Sequence, residues 1–124
     1  MARPPKNPPP KTLTPVVFHT LLALSEGPLH GYAISQSVEL ASEARVVMGP
    51  GTLYGSIQRM QQSGLVRECD PPEDGGPHGE RRRYYELTPA GREALRSEAV
   101  RIEKLTGLAA FRAVMNKRAV MNKR

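Results

Sequence analysis

The stretch GPGTLYGSIQRMQQSGL, residues 49–65, sets Thr52, Tyr54, Ser56 and Arg59 among the apolar residues Leu53, Ile57 and Met60. Hydroxyls and a guanidinium can donate hydrogen bonds to phosphate oxygens and to the acceptor edges of bases. The apolar residues recur every three to four positions, the spacing of one helical face. The segment therefore reads as a helix with one face buried and Thr52, Ser56 and Arg59 turned outward, toward a DNA major groove. Arg59 suits either guanine or phosphate. Gly49, Pro50 and Gly51 ahead of it permit a sharp change of direction, so that the helix N-terminus and its free amides can approach a phosphate backbone, with Thr52, Tyr54 and Ser56 supplying hydroxyls there.

A second group has the same chemistry. Arg81, Arg82 and Arg83 form the densest charge cluster in the chain and suit phosphate or minor-groove contacts. Alternation along a strand prevents all three from facing one way, so at least one is expected to take an intramolecular partner. Asp70, Glu73 and Asp74, just upstream, are the available carboxylates. Enzymatic chemistry needs a nucleophile with a base, paired carboxylates or a metal cluster, and the sequence displays none of these. His19 lies in an apolar helix, His30 at a helix start and His78 in a loop. Cys69 with Asp70, Glu73 and His78 matches no familiar zinc spacing. No catalytic activity, metal or cofactor is expected.

The 124 residues suit one small domain, and 18 Lys and Arg against 12 Asp and Glu give a net charge of +6, which favours a polyanionic partner. The single cysteine excludes an internal disulfide and fits a reducing compartment. Neither MARPPKNPPPK nor VVFHTLLAL has the length and apolar content of a signal or spanning segment, so a soluble, cytoplasmic protein with no membrane partner is expected.

Several elements must position these side chains. Residues 1–12 hold five of the 12 prolines and read as a disordered basic arm. Thr14 and Pro15 provide a cap and a first helical residue, and Val17, Leu21, Leu22 and Leu24 follow at helical spacing until Gly27 and Pro28 end the helix. A second, short helix carries Ala33, Ile34, Val38 and Ala41, and Gly64 closes the third. The segment LVRECD reads as a strand, PPEDGGPHGE as a loop and RRRYYELT as a returning strand, together a hairpin. Thr88 and Pro89 repeat the cap-and-proline device before a long helical stretch, on which Leu95, Ala99, Ile102, Leu105 and Ala109 make a narrow apolar stripe suited to a partner chain. The doubled AVMNKR at the end matches no helical or heptad period and reads as a frayed tail. This order predicts a mainly α fold with a small β part: a winged helix-turn-helix with a two-stranded wing and a long C-terminal dimerisation helix. The expected division is 1–12 arm, 13–88 DNA-binding domain, and 89–124 dimerisation helix and tail.

LHGYAIS, GPGTLYGSIQRMQQSGLV and RRRYYELTPAGREAL, in that order, resemble the PadR-like transcriptional regulators over roughly residues 13–98. The resemblance implies a bacterial repressor, short in form, that binds a near-palindromic double-stranded DNA operator as a homodimer. It matches Gly51, Thr52, Leu53 and Tyr54 to the start of the recognition helix, Tyr32 to the tyrosine opening the second helix, and Tyr84 and Tyr85 to the second wing strand. Tyr32 either touches a phosphate or packs its ring and leaves the hydroxyl at the surface; the area of an aromatic ring favours packing. The resemblance also implies release by a small hydrophobic effector near the dimer interface. Met48, Met60, Met115 and Phe111 offer an adaptable apolar lining, although methionine at helical spacing also fills cores. The competing function is a winged-helix module that binds protein and does not read DNA sequence.

Overall fold

The structure is a computed structural model that describes the backbone of residues 12–73 and 82–122, with side chains through Lys117 in the last helix. Two threonines set the frame. Thr14 accepts a hydrogen bond from the Val17 amide at 3.3 Å and Thr88 one from the Gly91 amide at 3.0 Å, each with proline next in line. They start α1 (Pro15–Leu24) and α4 (Pro89–Thr106). Between them lie β1 (Leu29–His30), α2 (Gly31–Ala41), α3 (Pro50–Gln62), β2 (Val66–Cys69) and β3 (Tyr84–Leu87), and α5 (Ala109–Asn122) follows.

The strands form one antiparallel sheet in the order β1-β3-β2. The expected hairpin is present, with Val66 opposite Leu87 and Cys69 opposite Tyr84. A third strand, not expected from sequence, joins its other edge, pairing Leu29 with Tyr85 and His30 with Tyr84. Two residues carry no legible periodicity. They become a strand because β3 offers an open edge beside the start of α2.

One core joins these layers. Leu21 and Leu24 of α1, Ile34 and Val38 of α2, and Leu53, Ile57 and Met60 of α3 meet Val66, Tyr85 and Leu87 of the sheet, and all are buried. Leu95 of α4 belongs to this same core, which corrects its expected place in a dimer interface. It is buried within one subunit, where α4 packs against α1. Glu98, one turn further on, is also buried; its carboxylate accepts from Arg101 at 2.7 Å. That bond, aided by the Arg101 charge and by the Leu13 backbone, holds it below the usual carboxylate value.

The long C-terminal helix is two helices. Gly107 caps α4, its amide reaching the Lys104 and Leu105 carbonyls, and α5 begins at Ala109. Glycine costs helix stability in mid-helix, so the helix is interrupted there and Ala109 opens a new element. The helical backbone then runs through most of the second AVMNKR copy to Asn122, where a frayed tail was expected.

The turn after α2 is built from Glu43 and Ala44, at φ 54° and 63°, and not from the later glycines. The Glu43 amide bonds the Leu40 carbonyl at 3.2 Å and the Ala44 amide the Glu39 carbonyl at 2.8 Å. This is the pattern that glycine usually closes in a left-handed conformation. At the other end of α3, the chain is clamped to α4: the Thr88 hydroxyl donates to the Gly64 carbonyl and the Thr88 amide to Leu65. Gly91 lies so near that a Cβ there would sit 1.9 Å from the Leu65 carbonyl oxygen. Only glycine allows this approach. The clamp fixes α3 relative to α4.

Candidate nucleic-acid interface

On α3, a full turn takes about 3.6 residues, so Leu53, Ser56, Ile57 and Met60 occupy one side. All four are buried. Ser56 is therefore corrected: it is 4% exposed, and it does not point outward as its hydroxyl suggested. It lies three residues after Leu53 and four before Met60, on the inner face, and its Oγ accepts a hydrogen bond from Arg59 Nη2 at 3.3 Å. Ser56 thus holds one edge of the Arg59 guanidinium against α3. Gly51, Thr52, Tyr54 and Arg59 are exposed as expected, and so is Gln58, which sequence reasoning missed. Its signal was positional: six residues after Thr52, it flanks Arg59 on the unburied side.

The N-terminus of α3 differs from its neighbours. Thr14, His30 and Thr88 cap α1, α2 and α4 with side-chain acceptors, whereas Gly49 gives α3 no side-chain cap. The first-turn amides of α3 are left to an outside acceptor.

Beside this end lies an open cleft of about 540 Å³, walled by His30, Gly31, Tyr32, Tyr54, Arg82 and Arg83. Tyr54 reaches across from α3 so closely that a Cβ on Gly31 would meet its hydroxyl at 2.9 Å. Tyr32 is 64% exposed, which favours the surface alternative over a packed ring. Arg82 and Arg83 precede β3 and are exposed, with Arg82 Nη1 3.0 Å from His30 Nε2. His30 also stacks edge-on against Tyr84 at 5.5 Å. Burial first and the Arg82 charge second hold His30 below the ordinary histidine value. Burial and then Glu68 push the Tyr85 hydroxyl up, against the pull of Arg83. Arg81, Asp74 and His78 lie outside the described residues. Among the described residues the ion pairs are Arg67 with Glu86 and Arg101 with Glu98, so Asp70 and Glu73 do not take the expected pairing with Arg82 or Arg83.

Cys69 is half-buried, and burial, then Glu86 and Asp70, push its thiol up. The suggested effector lining is dispersed: Met48 and Met60 are buried in the core, whereas Phe111 and Met115 are exposed on α5. On α4 and α5, Ala99, Ile102, Leu105 and Ala109 are exposed, together with Val100, Val114 and, in the connection between the two helices, Leu108. Among the described residues no helix is long and apolar enough to cross a membrane.

Comparison with known proteins agrees with this geometry. A 37.1 kDa protein in a transposon of Streptomyces fradiae is 47% identical over 87 residues, covering 70% of this chain but only 23% of that protein. A transcriptional regulator of Mycobacterium tuberculosis is 32% identical over 90 residues, 73% of this chain and 78% of its own length. The structure of a transcriptional regulator from Clostridium thermocellum superposes with a TM-score of 0.58 at 26% identity, covering 82% of this chain and 90% of that one. Residues 20–97, which carry the core, the α3 face and the β3 strand, match the model of the transcriptional regulator PadR-like family, and the chain belongs to that family.

Proposed function

We propose that this PadR-like regulator is a repressor that binds a near-palindromic operator as a homodimer in the cytoplasm, each α3 entering a major groove and each wing lying on the flanking backbone. The observation that carries the reading is the two-sided character of α3: Leu53, Ile57 and Met60 are sealed inside while Thr52, Gln58 and Arg59 stand in solvent, and Tyr54 of the same helix walls the cleft that Arg82 and Arg83 line. Arginine pairs with guanine and glutamine with adenine in the major groove, so this face has the donors and acceptors that base reading requires. Gly51, Thr52 and Tyr54 serve the phosphate at the helix start, with Tyr32 alongside and the run Arg81 to Arg83 on the wing. Gln58 replaces Ser56 in the contact set.

Residues 13–88 with the first half of α4, buried on its inner face through Glu98, act as the DNA-binding unit, and the exposed remainder of the expected 89–124 segment as the dimerising one. Exposed Ile102, Leu105, Leu108 and Phe111 supply the apolar surface for a second copy. Two-fold symmetry then sets the half-sites about one helical turn, or a multiple of it, apart. Release by a small hydrophobic ligand is assigned to the open cleft of about 910 Å³ where the start of α1 meets α4, lined by Leu13, Val17, Leu65 and Val100 among others. A ligand there would sit against the helix that carries the dimer surface.

Titrating duplex DNA at increasing salt tests the reading. Each neutralised phosphate contributes about −0.9 to the slope of log K against log salt, so a wing and a helix start that grip several phosphates give a steep slope together with preference for one sequence. A shallow slope with no preference would instead identify a protein-binding module.

A further inference from the structure

His30 presents a hydrogen-bonding conflict. The Ala33 amide donates to its Nδ1 at 3.2 Å, capping α2, while Arg82 Nη1 lies 3.0 Å from its Nε2. A neutral imidazole has one acceptor nitrogen, the other carrying hydrogen, and a guanidinium has donors only. The ring cannot accept at both ends. The Ala33 amide belongs to the first turn of α2, where helix geometry offers no backbone acceptor, so the cap claims the lone pair of Nδ1. Protonation of the ring would turn Nδ1–H against that amide, and burial together with Arg82 already disfavours the charged form. The cap therefore favours the tautomer with hydrogen on Nε2, where it points at the guanidinium. Two donors from separate elements converge, and among the described residues no carboxylate pairs with Arg82.

We propose that His30 Nε2–H and the Arg82 guanidinium together hold one nonbridging oxygen of a DNA backbone phosphate, with the Tyr54 hydroxyl on the same cleft as a further donor. This rests on the DNA-binding reading above and names a contact within it. An anionic oxygen entering the cleft answers both donors at once and offsets the repulsion between Arg82 and the ring edge. It also explains why the wing, the start of α2 and the start of α3 meet here: one phosphate would tie all three, fixing the wing against the reading helix. The groups facing His30 are Arg82 and Arg83 ahead of β3, Tyr84 on β3, Tyr32 on α2 and Tyr54 on α3. No carboxylate is among the residues that line the cleft.

The test uses the full chain and a duplex that it selects from a random pool. His30→Asn keeps an oxygen acceptor for the Ala33 amide, asparagine being a good helix cap, but its shorter side chain holds its own amide N–H groups back near the place of the ring's Cδ2, short of where Nε2–H reaches. His30→Asn and Arg82→Gln should each weaken binding about tenfold or more while leaving the selected sequence unchanged, because each removes a hydrogen bond to a charged group. Replacing backbone phosphates one at a time with neutral methylphosphonate should locate one position per half-site whose loss costs the wild type at least as much as either substitution does and costs either variant distinctly less. Losses that add, or the absence of such a position, would overturn the clamp. Imidazole nitrogen NMR of the free wild type supplies a check that no variant can confound by misfolding: hydrogen on Nε2 supports the clamp, and hydrogen on Nδ1 overturns it. If the wild type selects no duplex, the DNA-binding reading fails and the clamp with it. If it selects one that His30→Asn binds unchanged, only the clamp fails.

Discussion

Two amphipathic surfaces in this chain end differently. The apolar side of α3 is covered completely, with Leu53, Ile57 and Met60 each at most 4% exposed, and what remains outside is polar or cationic. Beyond Glu98 the pattern reverses: every residue of α4 from Ala99 onward is exposed, including Ile102 and Leu105, and Leu108 of the connection and Phe111 of α5 add to them. Hydrophobic burial orients both helices, but the core is finished by the time the chain reaches Leu95. A polar face left outside is suited to a polyanion, whereas an apolar face left outside is suited to another protein surface. One chain thus carries two kinds of interface, and the Thr88–Gly91 clamp connects them.

Substitutions can break this contrast, and the largest effect should come from the covered side. Ile57→Ala should cost about 2–5 kcal/mol in urea unfolding, as expected for a cavity in a packed core. Ile102→Ala should change the subunit's own stability by only about 0.5 kcal/mol, provided that monomer unfolding is followed at high dilution. Equal losses at the two sites would erase the distinction.

The next effect concerns assembly. Ile102→Asp or Leu105→Asp places a charge where a partner must desolvate it, and should convert a dimer to folded monomer in light scattering. A persistent dimer would move the interface elsewhere. A smaller effect sharpens the turn that leads into α3: Glu43→Gly should stabilise the fold by about 1 kcal/mol, because Glu43 holds a left-handed φ of 54° at the position where glycine is favoured. A loss of stability in urea would show that the glutamate side chain compensates for its backbone.

The smallest effect is pH-dependent. The folded value of His30 lies below its unfolded value, so its neutral ring contributes stability that is complete above the unfolded value of about 6.5 and is lost as pH falls through the folded one. Relative to His30→Asn, the wild type should lose stability on acidification through that window. Parallel curves would show that the ring is not the titrating group.

Local signals were legible in the sequence. Thr14–Pro15 and Thr88–Pro89 act on their own first turns, and the Leu53, Ile57, Met60 spacing needs no partner to be read. What escaped depends on distant parts. Ser56 was assigned by its chemistry, although its position between Leu53 and Met60 already put it inside. Leu95 and Ile102 belong to one stripe in sequence, and only the location of α1 divides it into an inner and an outer half. The break at Gly107 left the flanking periodicity intact and so was hidden. Strand β1 exists because β3 lies beside it, and His30 acquires its second neighbour only when the wing brings Arg82 across.

The most direct test is the outer face of α3 itself. Binding-site selection from random duplexes should be run with wild type and with Thr52→Ala/Arg59→Ala, whose removed groups are exposed and leave the core intact. Loss of a good base contact costs about 1–3 kcal/mol, so the variant should bind more weakly and lose preference at particular base pairs while keeping its fold. Selection of the same sequence with unchanged affinity would contradict the assignment of α3 as the reading helix.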